Sequence, residues 1–186
     1  MSDYRRYFVP GGMYFFTLVT YARRPILTTN HGRALLHKAI VQIQSERPFH
    51  LFATVLIPDH WHLVMQLPSG DSDYSLRLKR IKEKFTRFWL DAGFPEATVT
   101  KAQQENGERG IWQPRFWEHT IDDEQDLEDC VDYIHWNPRN HELVDRVRDY
   151  SWSSFHRFVK AGQYDIDWGG TAPTAVTRKD QWGEPA

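Results

Sequence analysis

His50-Leu51-Phe52-Ala53-Thr54-Val55-Leu56-Ile57-Pro58-Asp59-His60-Trp61-His62-Leu63-Val64-Met65-Gln66-Leu67 holds two apolar runs of strand length on either side of Pro58-Asp59. Proline and aspartate favour turns, and proline is poorly tolerated inside a sheet, so the two runs form a hairpin that breaks at this pair. Side chains alternate between faces along a strand. His60 and His62 therefore project together from the start of the second run, while Trp61 turns behind. Two imidazoles on one sheet face can grip one ion, although an isolated His-x-His is more often a pair of ordinary hydrogen-bonded side chains.

Upstream, Pro10-Gly11-Gly12 reads as a turn into a first strand, Met13 to Tyr21, rich in β-branched and aromatic residues. From about Asn30, Leu35, Leu36, Ala39, Ile40 and Ile43 recur at helical spacing and stop before Pro48. Downstream of Ser69-Gly70-Asp71, Leu78, Ile81, Phe85, Phe88 and Trp89 define a second helix, bordered by Arg77, Arg80, Lys84 and Arg87. Residues from about 91 to 110 lack periodicity and read as a surface excursion. A fourth strand is expected in the latter part of Ile111 to Ile121, limited by Pro114.

Asp122, with Gln125 three residues on, resembles a capping box opening a third helix with Leu127, Cys130, Val131 and Ile134 as its buried stripe. Tyr133 and Asn137 lie four residues apart, one turn from each other on the same face. Pro138 disfavours helical geometry in its predecessor, which places Asn137 at the helix end. Trp152 to Ala161 reads as a short terminal helix. The order of strands and helices predicts an α+β fold, a ferredoxin-like sandwich with an antiparallel sheet and helices packed on one face. Residues 1–166 are expected to form one domain and 167–186 a flexible tail.

With 186 residues, 40% hydrophobic and 15% aromatic, the chain suits a folded protein with a single core. One cysteine, Cys130, allows no intrachain disulfide and agrees with a reducing setting. The first residues begin no run of signal-peptide type and nothing later approaches a membrane-spanning length, so a soluble, cytoplasmic protein without a membrane partner is expected. The net charge of −2 does not announce a nucleic-acid ligand. Basic residues nevertheless gather at Arg5-Arg6, Arg23-Arg24, Arg77 to Arg87 and Arg139 to Arg148. Any one such cluster is usually a solvated face.

A paired-histidine clamp with a phenol and a carboxamide on a neighbouring helix suggests metal-assisted attack of tyrosine on a phosphodiester. Free tyrosine has a pKa of about 10, so the reaction needs help with its deprotonation. Other readings compete. His60, His62 and Cys130 form a possible zinc set, though a cysteine on an apolar stripe usually packs. His119 and His135 are possible supporting or basic groups, and Asp132 and Glu118 possible carboxylate ligands. Trp61, Trp112, Trp117 and Trp136 offer rings for stacking on unpaired bases, but tryptophan is more often core.

The hairpin with His60-Trp61-His62, the Gly107-Glu108-Arg109-Gly110-Ile111-Trp112-Gln113 approach, Arg115-Phe116-Trp117-Glu118-His119, and Tyr133-Ile134-His135-Trp136-Asn137-Pro138 together resemble the REP-associated tyrosine transposases, relatives of the single-tyrosine HUH transposases. The resemblance extends from Tyr4 to about Gly170. It implies a metal-dependent single-stranded DNA endonuclease and strand transferase that acts at REP-type hairpins through a 5′-phosphotyrosine. It also implies Tyr133 as nucleophile and His60, His62 and Asn137 as ligands of Mg²⁺ or Mn²⁺. DNA contacts are expected from Tyr4, Arg5 and Arg6, and from Arg77, Arg80, Lys84, Arg87 and Arg115. A bacterial, nucleoid-associated protein is implied, acting as a monomer, with a dimer as the variant seen among related enzymes. Two departures stand out: Trp61 replaces a small aliphatic residue between the histidines, and Trp136 stands where a tyrosine is often found, which removes a rival nucleophile. The competing function is a non-catalytic ssDNA- or RNA-binding module of the same fold. A relaxase fits less well, since its tyrosine precedes the histidine motif.

Overall fold

A computed structural model describes residues 8–174. Its elements are β1 (Met13–Val19), α1 (Asn30–Glu46), β2 (His50–Leu56), β3 (His60–Gln66), α2 (Tyr74–Asp91), α3 (Lys101–Glu105), β4 (Trp117–Thr120), α4 (Glu124–Asn140) and α5 (Phe155–Lys160). The four strands form one antiparallel sheet in the order β2-β3-β1-β4. The hairpin around Pro58-Asp59 forms as its sequence predicts, with Leu56 opposite Trp61. β1 then pairs along the free edge of β3, which sets Thr17 opposite His62 and Val19 opposite His60.

Every residue of β3 except Gln66 is buried, because both sheet faces are covered. Tyr14, Phe16 and Leu18 of β1 and Trp61, Leu63 and Met65 of β3 pack against α1 and α2. Phe15 and Val64, with Ala53 and Val55 of β2, face the other way onto Cys130, Val131, Tyr133 and Ile134 of α4 and Phe155 and Phe158 of α5. This corrects the expectation of helices on one face. α1 and α2 occupy one side and α4 and α5 the other, and the period-two alternation of β1 carries apolar side chains to both.

Helix starts follow local capping chemistry. Thr29 accepts from Gly32 N at α1, Asp73 from Leu76 N at α2, and Thr100 with Gln103 forms a capping box at α3, a short helix unforeseen in the 91–110 excursion. At α4 the cap is Asp123 rather than Asp122; Asp122 N instead donates to Asp126 Oδ2 at 2.9 Å. Pro138 does not end the helix. It lies in the last turn, whose chain continues through His141 N to Asn137 O (3.0 Å) and Leu143 N to Pro138 O (2.9 Å).

The terminal helix is shorter than expected, since Trp152 lies in a turn, Ser153 bridges to Val55 of β2 and Ser154 is the N-cap. Beyond it the Trp168 ring packs tilted against Tyr164 with centroids 4.6 Å apart, and Arg139 donates to Gly169 O and Gly170 O. Packing thus continues past the 166/167 boundary expected from composition. The rest of the expected tail, 175–186, lies outside the described residues, as do Tyr4, Arg5 and Arg6. Among the described residues no helix is long and apolar enough to cross a membrane.

Candidate active site

The paired histidines open β3 on the face covered by α4. His60 is 1% exposed and His62 0%. Their ring centroids are 4.7 Å apart, as two side chains of one strand face should be. Each ring is fixed through Nδ1. His60 Nδ1 lies 2.7 Å from Asp59 Oδ1 in the hairpin turn, and His62 Nδ1 lies 2.9 Å from Thr17 Oγ1 across the β1–β3 ladder. A cation held by this pair would therefore meet each ring through Nε2, the nitrogen opposite the anchored one.

Asp59 is itself anchored. Burial would raise its pKa, but hydrogen bonds from His60 and from Arg23 Nη1 at 2.9 Å overcome that effect and hold the carboxyl at about 2. Its backbone carbonyl accepts from Thr20 N and Thr20 Oγ1, which locks the turn to the end of β1.

α4 brings the other groups. Tyr133 is 2% exposed, its ring set edge-on to His62 at 5.3 Å and to Phe15 at 5.9 Å. Asn137 follows one turn later and is fully buried, on a helix that runs on rather than stopping at it. His141, the residue after the helix, places its ring 4.9 Å from that of His60. Two imidazoles and a phenol thus meet between the start of β3 and α4, with the Asn137 carboxamide buried one turn beyond the phenol on that helix. Nitrogen and amide-oxygen donors of this kind suit a divalent cation whose shell phosphate oxygens can complete.

Other expected residues lie elsewhere. Arg77 is 2% exposed and serves the fold: it donates to Pro48 O, Asp73 O and both carboxylate oxygens of Asp71. This corrects its placement among the DNA contacts, because a guanidinium so enclosed has no face to give a phosphate. Arg80 is exposed and pairs with Glu83 at 3.0 Å, and Lys84 lies 3.7 Å from Glu46. Arg87 and Arg115 are exposed. Trp61, whose Nε1 donates to Thr54 Oγ1, is buried with Trp112 and Trp136, so three of the four candidate stacking rings are core; Trp117 is half-buried.

The zinc set with Cys130 is not assembled. Cys130 lies within ligand distance of His119 and Asp126, and His119 Nε2 contacts both Asp126 carboxylate oxygens at 2.8 Å. His135 points into the α4–α5 core, where its Nε2 meets Ser154 Oγ at 2.8 Å, and burial takes its pKa down to about 3. Glu118 accepts from Tyr74 Oη at 2.6 Å, and Asp132 from Tyr164.

Residues 9–137 match the transposase family described as IS200-like. This chain belongs to that family. A REP-associated tyrosine transposase of Haemophilus influenzae is 44% identical over 172 residues, covering 91% of this chain and 94% of the relative. One from Escherichia coli is 42% identical over 170 residues, covering 91% and 92%. The solved structure of a REP-associated tyrosine transposase bound to a REP hairpin superposes with a TM-score of 0.75 at 40% identity, covering 93% of this chain and 94% of that one. The chain is thus an IS200-like transposase of the REP-associated tyrosine group.

Within this transposase three residues at the site escaped the reading of the sequence. Thr17 is visible only once the β1–β3 register is known. Asp59 has the composition of a turn former, and its adjacency to His60 is the signal for its second role. His141 continues the spacing of Tyr133 and Asn137 by another four residues, a signal that Pro138 obscured.

Proposed function

We propose that this transposase cleaves and rejoins single-stranded DNA at REP-type hairpins, with Tyr133 as nucleophile and His60, His62 and Asn137 holding Mg²⁺ or Mn²⁺. One observation carries the reading: the Tyr133 ring sits 5.3 Å from His62, whose own ring is 4.7 Å from His60, so phenol and imidazole pair share one buried site. Tyr133 Oη attacks phosphorus, forming the tyrosyl phosphoester as the bond to the 3′-oxygen breaks. The phenolic proton goes to solvent or a base, and the leaving oxygen takes one up. The products are a 5′-phosphotyrosine and a free 3′-hydroxyl, and attack by another 3′-hydroxyl reverses the step without ATP. When bound, the cation stabilises charge on the scissile phosphate. Asp59 and Thr17 orient the two imidazoles, and Phe15 backs the phenol ring.

The hairpin substrate rests on the relatives: two are named REP-associated, and a solved one is bound to a REP hairpin. The test incubates protein, Mn²⁺ and a labelled single-stranded REP hairpin, and looks for a covalent protein–DNA adduct. An adduct that disappears in Tyr133→Phe is expected. Hairpin binding with no adduct, across substrates and metals, would instead mean a non-catalytic binding module.

A further inference from the structure

Residues 107–113 contribute one wall of a cavity of about 860 Å³ whose opposite wall is α2. A space of that size suits a small ligand. Lys82 of α2 crosses it, donating to Gln113 O at 2.6 Å and to Pro114 O at 3.2 Å. Burial brings the Lys82 ammonium down to about 8, against the pull of the Glu108 carboxylate. Two polar atoms of the lining residues are left over. Trp112 Nε1 and Glu108 Oε2 are buried without a hydrogen-bond partner among the described residues, and Trp112 as a whole is 6% exposed. A buried donor or acceptor left unmade carries its full desolvation cost, so the pair points to a ligand. The wall that bears them is preformed: Ala97 N and Arg24 Nη1 both donate to Gly110 O, and Arg109 pairs with Glu96 at 2.6 Å.

The cavity lies at the end of the sheet that holds the paired histidines. Val19 stands opposite His60 in the β1–β3 ladder, and on its other side its carbonyl accepts from Gln113 N at 2.9 Å. Adjacent strands are about 4.7–4.9 Å apart, so the Gln113 backbone runs roughly 10 Å from that of His60. Exposed cations border the cavity, since Arg87 lines it and Arg115 follows Pro114 of its wall.

We propose that this cavity receives one unpaired nucleobase of the single-stranded DNA beside the hairpin, with Trp112 Nε1 donating to the base edge and Glu108 accepting from it. The inference rests on the DNA substrate proposed above. The Watson–Crick edge of a base sets an acceptor beside an N–H or amino donor, and a protein can read that edge only when the base is unpaired. One indole N–H and one carboxylate oxygen complete it. Phosphates resting on Arg87 and Arg115 position the strand, whereas the contacts inside the cavity depend on which base enters.

The test measures hairpin affinity by fluorescence anisotropy in the Tyr133→Phe background, without divalent metal. An abasic nucleotide is walked through the single-stranded flank. One position is expected to lose about 10-fold in affinity, and in Glu108→Ala the loss at that position should shrink to about two-fold, with the other positions unchanged. Trp112→Phe, which removes the indole N–H and keeps a ring against Phe85, should shrink the same loss. If Glu108→Ala melts well below the parent, Glu108→Gln is read in its place. An abasic profile identical in parent and variants overturns the proposal. So does calorimetric binding of a free nucleoside monophosphate that depends on Glu108 while no abasic position does, which would make the cavity a mononucleotide site. Failure of the parent to bind any hairpin would reject the proposed function itself, whereas hairpin binding with no position coupled to Glu108 would reject this inference alone.

Discussion

Thr17 Oγ1 lies 2.9 Å from His62 Nδ1, joining the middle of β1 to the second histidine of the motif. The contact follows from register, since Thr17 and His62 are directly opposed in the β1–β3 ladder and project to the same face. A hydroxyl here fixes the rotation of the imidazole without adding charge. Thr17→Val keeps the shape and removes the bond. Calorimetric titration of the variant with Mn²⁺ should show affinity about 10–100-fold weaker, with thermal stability lowered by roughly 1–2 kcal/mol. Unchanged Mn²⁺ binding would mean that packing alone orients His62.

Arg77 is predicted to matter for folding and not for DNA. Its guanidinium ties the start of α2 to Pro48 O and Asp71, and its hydrogen bonds hold the Asp71 carboxyl below the usual range. Arg77→Met leaves those acceptors without their charged donor, and should cost roughly 2–4 kcal/mol in denaturant unfolding. Hairpin affinity of the folded fraction should stay at the parent value. A large loss of affinity with intact stability would restore Arg77 to the DNA-contact surface.

The contrast between Arg77 and the histidines marks how far the sequence could be read. Periodicity located β1, α1, the β2–β3 hairpin, α2, β4 and α4, because each has a long apolar stripe or alternation. The i, i+2 and i, i+4 rules set His60 beside His62 and Asn137 one turn from Tyr133, since those spacings are local and survive any tertiary arrangement, and the packing of α4 on the sheet then puts the Tyr133 ring against His62. What failed was nonlocal. The continuous apolar run of β1 agrees with cover on both sheet faces, but which helices supply each cover depends on how the chain crosses between them. A buried arginine looks like a solvated one until Asp71 and Pro48 are known to approach it. Thr17 could not be assigned before its register was known. Asp122 and Asp123 are both competent caps, and only backbone geometry chose between them.

Cys130 should behave as a packing residue. It is fully buried in the α4 face of the sheet, and burial, aided by the Asp126 and Asp129 carboxylates, pushes its thiol far above the ordinary cysteine range. The reactive thiolate is correspondingly scarce at any pH the fold tolerates. Iodoacetamide at mildly alkaline pH is expected to leave the native protein unlabelled and to label it fully once unfolded in denaturant. Rapid native labelling would show that α4 lifts from the sheet far more often than this packing allows.

Removing His62 should separate chemistry from recognition. The imidazole is buried beside Tyr133, while the exposed cations lie on α2 and before β4. His62→Ala is expected to abolish adduct formation and leave hairpin affinity within a few-fold of the parent. Joint loss of binding and cleavage, with a parent-like melting curve, would place DNA contacts inside the histidine site.

The exposed cations make a graded electrostatic prediction. A cation that neutralises a phosphate of single-stranded DNA releases counterions, and each such contact contributes about 0.7 to the slope of log affinity against log salt. Arg80 and Lys84 already face Glu83 and Glu46, so DNA must compete with those carboxylates for them. Arg87 and Arg115 are exposed, and the side-chain ion pairs that engage Arg80 and Lys84 do not include them. Arg87→Ala and Arg115→Ala should therefore each flatten the slope by about 0.7, Arg80→Ala and Lys84→Ala by less, and Arg77→Met not at all. Fluorescence anisotropy with a labelled hairpin over a salt series, without divalent metal so that cleavage does not intervene, gives the five slopes. Equal slopes in all five variants would move the DNA path off the α2 face altogether.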